Sequence, residues 1–173
     1  AYPVTIGAGL DGWAPSGKQM ARRRERLTGQ MTDEAPTGRA RRLADFEGCW
    51  QMTRRIVQAE GPEARLDGVA TWRAVPEGLI CDEVGRLQIG AQPAVEARRS
   101  YLWREDLSVW FEDGRFFHQV PLRGGETGHW CAPDQYDGCY TFDSWPVWQV
   151  VWTVKGPRKD YVMRTDYRRA AAG

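Results

Sequence analysis

From Phe46 to Arg169 polar and apolar residues alternate in short runs, the period-two spacing that sends successive side chains to opposite faces of a strand. These runs predict strands over 47–59, 66–75, 78–84, 86–91, 94–104, 107–112, 115–121, 127–132, 136–143, 146–155 and 159–169. Turn-forming residues separate them at Glu60-Gly61-Pro62, Pro76-Glu77-Gly78, Gly85, Pro93, Asp113-Gly114, Gly124-Gly125, Pro133-Asp134 and Gly156-Pro157. The gaps leave little room for crossover helices, which argues against parallel βαβ units. The expectation is an all-β fold, an antiparallel up-and-down β-barrel of about 8–10 strands, because closing the sheet removes its exposed edges. Residues 1–45 do not share the alternation. They read as an irregular or short-helical N-terminal arm, rich in Gly and Pro at first and then basic, preceding a barrel domain over 46–169.

The clearest pairing signal lies in Leu107 to Cys131. Asp113-Gly114 between two alternating runs suits a two-residue type I′ turn, which would set Phe111 opposite Phe116 and Val109 opposite His118. The more apolar face then holds Leu107, Val109, Phe111, Phe116, His118 and Val120, so His118 points inward. A second turn at Arg123-Gly124-Gly125 sets His118 opposite His129 or Cys131, according to its centre. Both registers have the same parity, so His118, His129 and Cys131 share the inner face of an apolar cup. In 146–155, Trp148, Val150, Trp152 and Val154 form an apolar stripe. Val147, Gln149, Val151, Thr153 and Lys155 form a mixed one, which becomes a homodimer contact if both are covered.

Composition narrows the function. The chain has 173 residues, net charge +1 and a pI near 7.9, so it is not as a whole an electrostatic nucleic-acid binder. The arm carries eight basic against five acidic residues and the remainder 16 against 18, a pattern that most simply means a solvated face or a flexible arm. No apolar run is long enough to cross a membrane, and no signal-like segment precedes the cysteines. Cys49, Cys81, Cys131 and Cys139 show no CxxC spacing, so free thiols in a reducing cytoplasm are expected. Gly12 to Gln19 approaches the phosphate-cradling GxxxxGK[ST] loop but lacks its final hydroxyl and a preceding buried strand. The nine tryptophans are expected to fill or cover the barrel.

Phe46-Glu47-Gly48-Cys49-Trp50 resembles the G-x-W that opens the first strand of lipocalins and the wider calycin group. That resemblance implies that Trp50 plugs the closed end of the barrel, with a basic residue of the last strand, Arg164 or Arg168, packed upon it. Thr165-Asp166-Tyr167 has the letters of a second lipocalin motif but lies in the last strand, and the helix that follows a lipocalin barrel is missing. A closer resemblance covers residues 46–169: F-x-G-x-W, Asp113-Gly114-Arg115 with Phe117-His118, His129-x-Cys131-x-x-Asp134-x-Tyr136, and Trp152 through Gly156-Pro157 to Lys159-Asp160-Tyr161. In this order they are similar to an uncharacterised bacterial family grouped as lipocalin-like, for which no activity is implied.

The expected function is binding of a small, partly apolar ligand in the cup. His118, His129, Cys131, Phe111 and Phe116 would line it, with Asp134, Tyr136 and Tyr140 at or near its mouth. A rival is a cup enzyme of isomerase, decarboxylase or hydrolase type. There His118 or His129 would act as base, oriented by Asp134, with a tyrosine as acid. A third reading is a protein-interaction module whose barrel is filled. No metal or cofactor is called for, although the histidines and Cys131 are chemically able to hold Zn²⁺ and a histidine to ligate haem.

Overall fold

The computed structural model describes residues 38–171 and the backbone of residues 4–5. A two-residue strand, β1 (Val4–Thr5), lies parallel to β5. Ten strands then follow in antiparallel succession: β2 (Gly48–Gln58), β3 (Ala64–Val75), β4 (Gly78–Ile89), β5 (Val95–Trp103), β6 (Ser108–Phe111), β7 (Phe116–Gln119), β8 (Gly125–Cys131), β9 (Asp134–Thr141), β10 (Val147–Lys155) and β11 (Asp160–Arg169). The sheet runs from β7 back to β2, where β2 pairs with β11, and from β11 back to β8. The result is a nearly closed up-and-down barrel whose one seam lies between β7 and β8. There is no backbone ladder across that seam among the described residues. The Thr127 hydroxyl donates to the Gln119 carbonyl at 2.6 Å, and the His129 ring bonds the Phe117 carbonyl. Among the described residues no helix is long and apolar enough to cross a membrane.

Alternation builds the barrel as expected, since Trp148, Val150, Trp152 and Val154 are buried while Val147 is exposed. One expected break is absent. Gly85 does not end a strand; it sits inside β4 opposite Gly68 of β3, where a Cβ on either would collide with the facing backbone. The two glycines let the strands approach closely enough to coil.

The lower end is filled by rings. The short helix α1 (Leu43–Phe46) lies across it and drives Phe46, fully buried, among Trp72, Trp103, Phe142, Trp145 and Trp148 at centroid distances of 5.0–6.4 Å. Trp50 is equally buried and its indole donates to the Phe46 carbonyl at 2.7 Å. The basic side chain on Trp50 is Arg169, whose guanidinium stacks 4.1 Å from its ring and donates to the carbonyls of Asp45 and Glu47. Arg164 and Arg168, expected there, point outward, and Arg164 pairs with Asp166. The reason is parity: Thr165, Tyr167 and Arg169 share one face of β11, and Thr165 and Tyr167 are buried. Packing extends upstream of Phe46 as well, since Leu43 is buried and Arg41 stacks on Trp145 at 4.6 Å. The Gly/Pro-rich and basic stretch expected over most of residues 1–37 lies outside the described residues, β1 apart.

The Leu107–Cys131 region departs from its expected register in two places. Phe111 N–H donates to the Arg115 carbonyl and Gly114 N–H to the Phe111 carbonyl, so the hairpin loop has three residues, with Gly114 alone at positive φ (82°). This is a type I turn followed by a left-handed glycine, not the two-residue I′ turn. Val109 does face His118, but Trp110 faces Phe116, leaving Phe117 as the extra residue of a bulge. Phe116 consequently lies on the outer face, 46% exposed, and Phe117 takes the inward place expected for it. The second turn forms no hairpin. Pro121 has no N–H to donate, the Leu122 carbonyl accepts from Arg41 N–H, and β7 and β8 separate, so His118 is paired with neither His129 nor Cys131.

Candidate functional site

The upper end of the barrel is lined by aromatic side chains. Tyr101 (β5), Phe111 (β6), Phe117 (β7), His129 (β8), Tyr136 (β9) and Tyr161 (β11) are each partly buried. They follow one another around the mouth. Tyr101 lies 6.1 Å from Phe111, Phe111 stacks on Phe117 at 4.6 Å, Phe117 meets His129 edge-on at 5.4 Å, and His129 lies 6.1 Å from Tyr136. Tyr136 is hydrogen-bonded to Tyr161. Inward placement on six strands, β5 to β9 and β11, brings these rings together.

Three cations lie against rim rings, Arg99, Lys159 and Arg115, the last 5.5 Å over Phe111 and paired with Asp113 at 2.8 Å. The Arg99 guanidinium lies 5.4 Å over the Tyr101 ring, and among the described residues it has no carboxylate within ion-pair distance. Lys159 bonds Asp134 at 2.8 Å and donates to the Tyr136 hydroxyl at 3.1 Å. Asp134, Tyr136 and Lys159 thus form one polar cluster. Asp134 pairs with Lys159 and is hydrogen-bonded to neither histidine, so the acid–base relay of the enzyme reading does not form among the described residues. Burial raises the pKa of Tyr161 and holds that of Tyr101 up at about 12, so both phenols remain neutral donors.

Below the rim the barrel is occupied. Phe117 stacks on Trp152 at 5.2 Å and meets His118 edge-on at 4.3 Å. His118, 2% exposed, has its Nε2 2.7 Å from the Tyr140 hydroxyl. Burial, aided by the charge of His129, lowers its pKa to about 3, so the ring is neutral. His129 is lowered too, by burial first, against the pull of the Phe117 carbonyl and with help from Arg115. Tyr140 is therefore an interior residue and not a mouth residue as expected. Cys131 is exposed at the end of β8, next to the turn into β9, and does not line the cup. All four cysteines are free thiols.

Beside these lies a polar core the sequence reading missed. Arg54 forks onto Glu83 at 2.9 and 2.8 Å and donates to the Thr165 hydroxyl at 2.8 Å, while the Tyr167 hydroxyl donates to Glu83 at 2.9 Å. The signal was present. Arg54 stands between Met52 and Ile56, and Glu83 two residues after Cys81, in otherwise apolar inward stripes. A crevice bounded by Arg54, Glu83 and Arg99 has a volume of about 10 Å³, the size of one water.

A model of the family described as "Family of unknown function (DUF6314)" matches residues 46–169. No curated protein matches the chain. Among solved structures, an S-type phycobiliprotein lyase from Guillardia theta is similar, with a TM-score of 0.53 and 6% identity over 76% of this chain and 92% of that one. At such identity the likeness is one of fold alone.

Proposed function

The chain belongs to this family of unknown function, and we propose that its barrel binds a small, conjugated, anionic molecule at the mouth. The observation that carries this reading is Arg99: a half-buried cation with no hydrogen bond or ion pair to a carboxylate among the described residues, although Glu83 stands opposite it across β4 and β5, set on a ring of half-buried aromatic side chains. Arginine stacks on rings and forks onto carboxylates, and the rings offer flat apolar faces to a planar ligand. The small-molecule role follows the expectation from sequence, with the contact surface moved from a deep cup to the rim. His129, Phe111, Tyr136 and Asp134 remain in it; Phe116 and Cys131 leave it. The similarity to a lyase that serves phycobiliproteins supports a barrel that handles a small molecule.

One observation favours interaction with another protein instead. Trp130 is 62% and Phe116 46% exposed, on the strands that flank the seam. A single experiment separates the two readings. Titrating the full chain with 8-anilinonaphthalene-1-sulfonate, an anionic aromatic probe, should give saturable fluorescence enhancement that Arg99→Ala weakens about tenfold or more, the worth of one charge-assisted hydrogen bond. Binding that ignores Arg99→Ala and Phe111→Ala but is lost in Trp130→Ser would overturn the mouth reading in favour of the exposed patch.

A further inference from the structure

Phe117 stands between the rim and His118, and the hydrogen bonds around His118 are incomplete. Its Nδ1 is buried with no partner, while its Nε2 meets the Tyr140 hydroxyl. That hydroxyl has no other hydrogen-bond partner among the described residues, so the tautomer follows from counting. If Nε2 carried the proton, both the Tyr140 O–H and the Nδ1 lone pair would be left buried and unmatched. If Tyr140 donates to Nε2, a single group is unmatched, the Nδ1–H donor. The second arrangement costs one buried polar group and not two. His118 therefore presents an unused N–H while packed among the rings of Phe117, Tyr140 and Trp152.

Phe117 is also the side chain best placed to move. It is the extra residue of a bulge, on a strand of four residues at the seam, and across that seam β7 is held by the side chains of Thr127 and His129. Short strands with few backbone bonds open at low cost. We propose that Phe117 is a gate and that the Nδ1–H of His118 is a second ligand contact beneath it, taking a neutral carbonyl oxygen carried on a conjugated ring. The oxygen is neutral because a carboxylate buried against a neutral imidazole, away from Arg99 and Lys159, would lose its hydration without a counterion. The proposal rests on the mouth reading for the entry route and adds the chemistry of the buried end. The ligand would be bipolar: acidic where it meets Arg99, carbonyl-bearing where it meets His118.

The test uses the full chain with ¹⁵N-labelled histidine and two small probes, acetophenone and benzoate, followed by ¹⁵N NMR of the imidazole nitrogens. His118 should show the Nδ1–H tautomer. Phe117→Ala, which leaves a benzene-sized space, should bind acetophenone about tenfold tighter than the parent protein. The shift should fall on His118 Nδ1, and binding should be lost again in Phe117→Ala/His118→Phe. Benzoate should leave His118 unmoved. An Nε2–H tautomer, or an Nδ1 that acetophenone does not perturb in Phe117→Ala, overturns the proposal; so does benzoate perturbing it equally. Failure of the mouth reading looks different, because it shows as indifference of the sulfonate probe to Arg99→Ala while the His118 response stands or falls by itself.

Discussion

The Arg54–Glu83 pair is the place where one substitution should cost this barrel most. Both side chains are nearly excluded from solvent, at 6% and 7% exposure. Glu83→Leu removes the acceptor of two Arg54 hydrogen bonds and of the Tyr167 hydroxyl, and leaves a buried guanidinium without a counterion. Breaking a buried pair from one side costs about 3–5 kcal/mol, against about 5–15 kcal/mol for the stability of an ordinary domain. Removing both partners is different. In Arg54→Met/Glu83→Leu the buried guanidinium leaves together with its carboxylate, and the loss should fall below that of Glu83→Leu alone. Urea unfolding followed by tryptophan fluorescence measures both, since the buried indoles report on the same core. Glu83→Leu within about 1 kcal/mol of the parent would refute the reasoning. So would a double variant as costly as the two single ones added together. The pair also makes an acid-side prediction. Burial pushes the Glu83 carboxyl up, but the charge and hydrogen bonds of Arg54, with the Tyr167 hydroxyl and the charge of Arg99, outweigh it and hold the pKa below its ordinary 4.5. A lowered folded pKa gives stability that is present above pH 4.5 and lost as the pH falls through the folded value.

Two further outcomes follow from the plug and the buried imidazole. Arg169→Ala should lower stability by about 1–2 kcal/mol by removing the stack on Trp50 and the bonds to the Asp45 and Glu47 carbonyls, whereas Arg164→Ala and Arg168→Ala should stay within about 0.5 kcal/mol in the same urea assay. An equal loss at Arg168 would put the wrong arginine on the plug. His118 titrates near 6.5 when unfolded and near 3 when folded, so the unfolded state holds the extra proton between those values. Stability should therefore fall with acidification by about 1.4 kcal/mol per pH unit across that window, and His118→Phe should remove that component of the slope. Parallel pH profiles of the parent and the variant would contradict a buried neutral ring.

Alternation made most of this barrel readable, because a strand whose one face is buried writes that face into every second residue. The same rule held the answer for the plug. With Thr165 and Tyr167 inward, Arg169 is the basic residue in register with them, and Arg164 and Arg168 are not. What alternation does not carry is a change of count. Phe116 and Phe117 are chemically equivalent, so nothing in the pattern says which one turns inward. The choice was made by the loop, where Asp113 accepts from Arg115 N–H at 3.1 Å and favours three residues over two. That one-residue change shifts Phe116 outward yet leaves His118 inward, because the bulge absorbs the extra residue.

The mouth was hidden for another reason. Arg99, Tyr101, Tyr161 and Lys159 are far from the His118–His129 stretch in sequence, and only closure of the sheet brings them to the same rim as His129. A charged residue in an inward register is nevertheless legible: Arg54 lies between Met52 and Ile56, and Arg99 between Ala97 and Tyr101. Such a charge must find a partner or face the opening, since a lone buried ion is too costly to keep. Arg54 found Glu83. Arg99 stands opposite the same Glu83 across β4 and β5 but makes no ion pair with it among the described residues and lies over the Tyr101 ring instead, and that asymmetry between two inward arginines leaves Arg99, not Arg54, with donors to offer an anion.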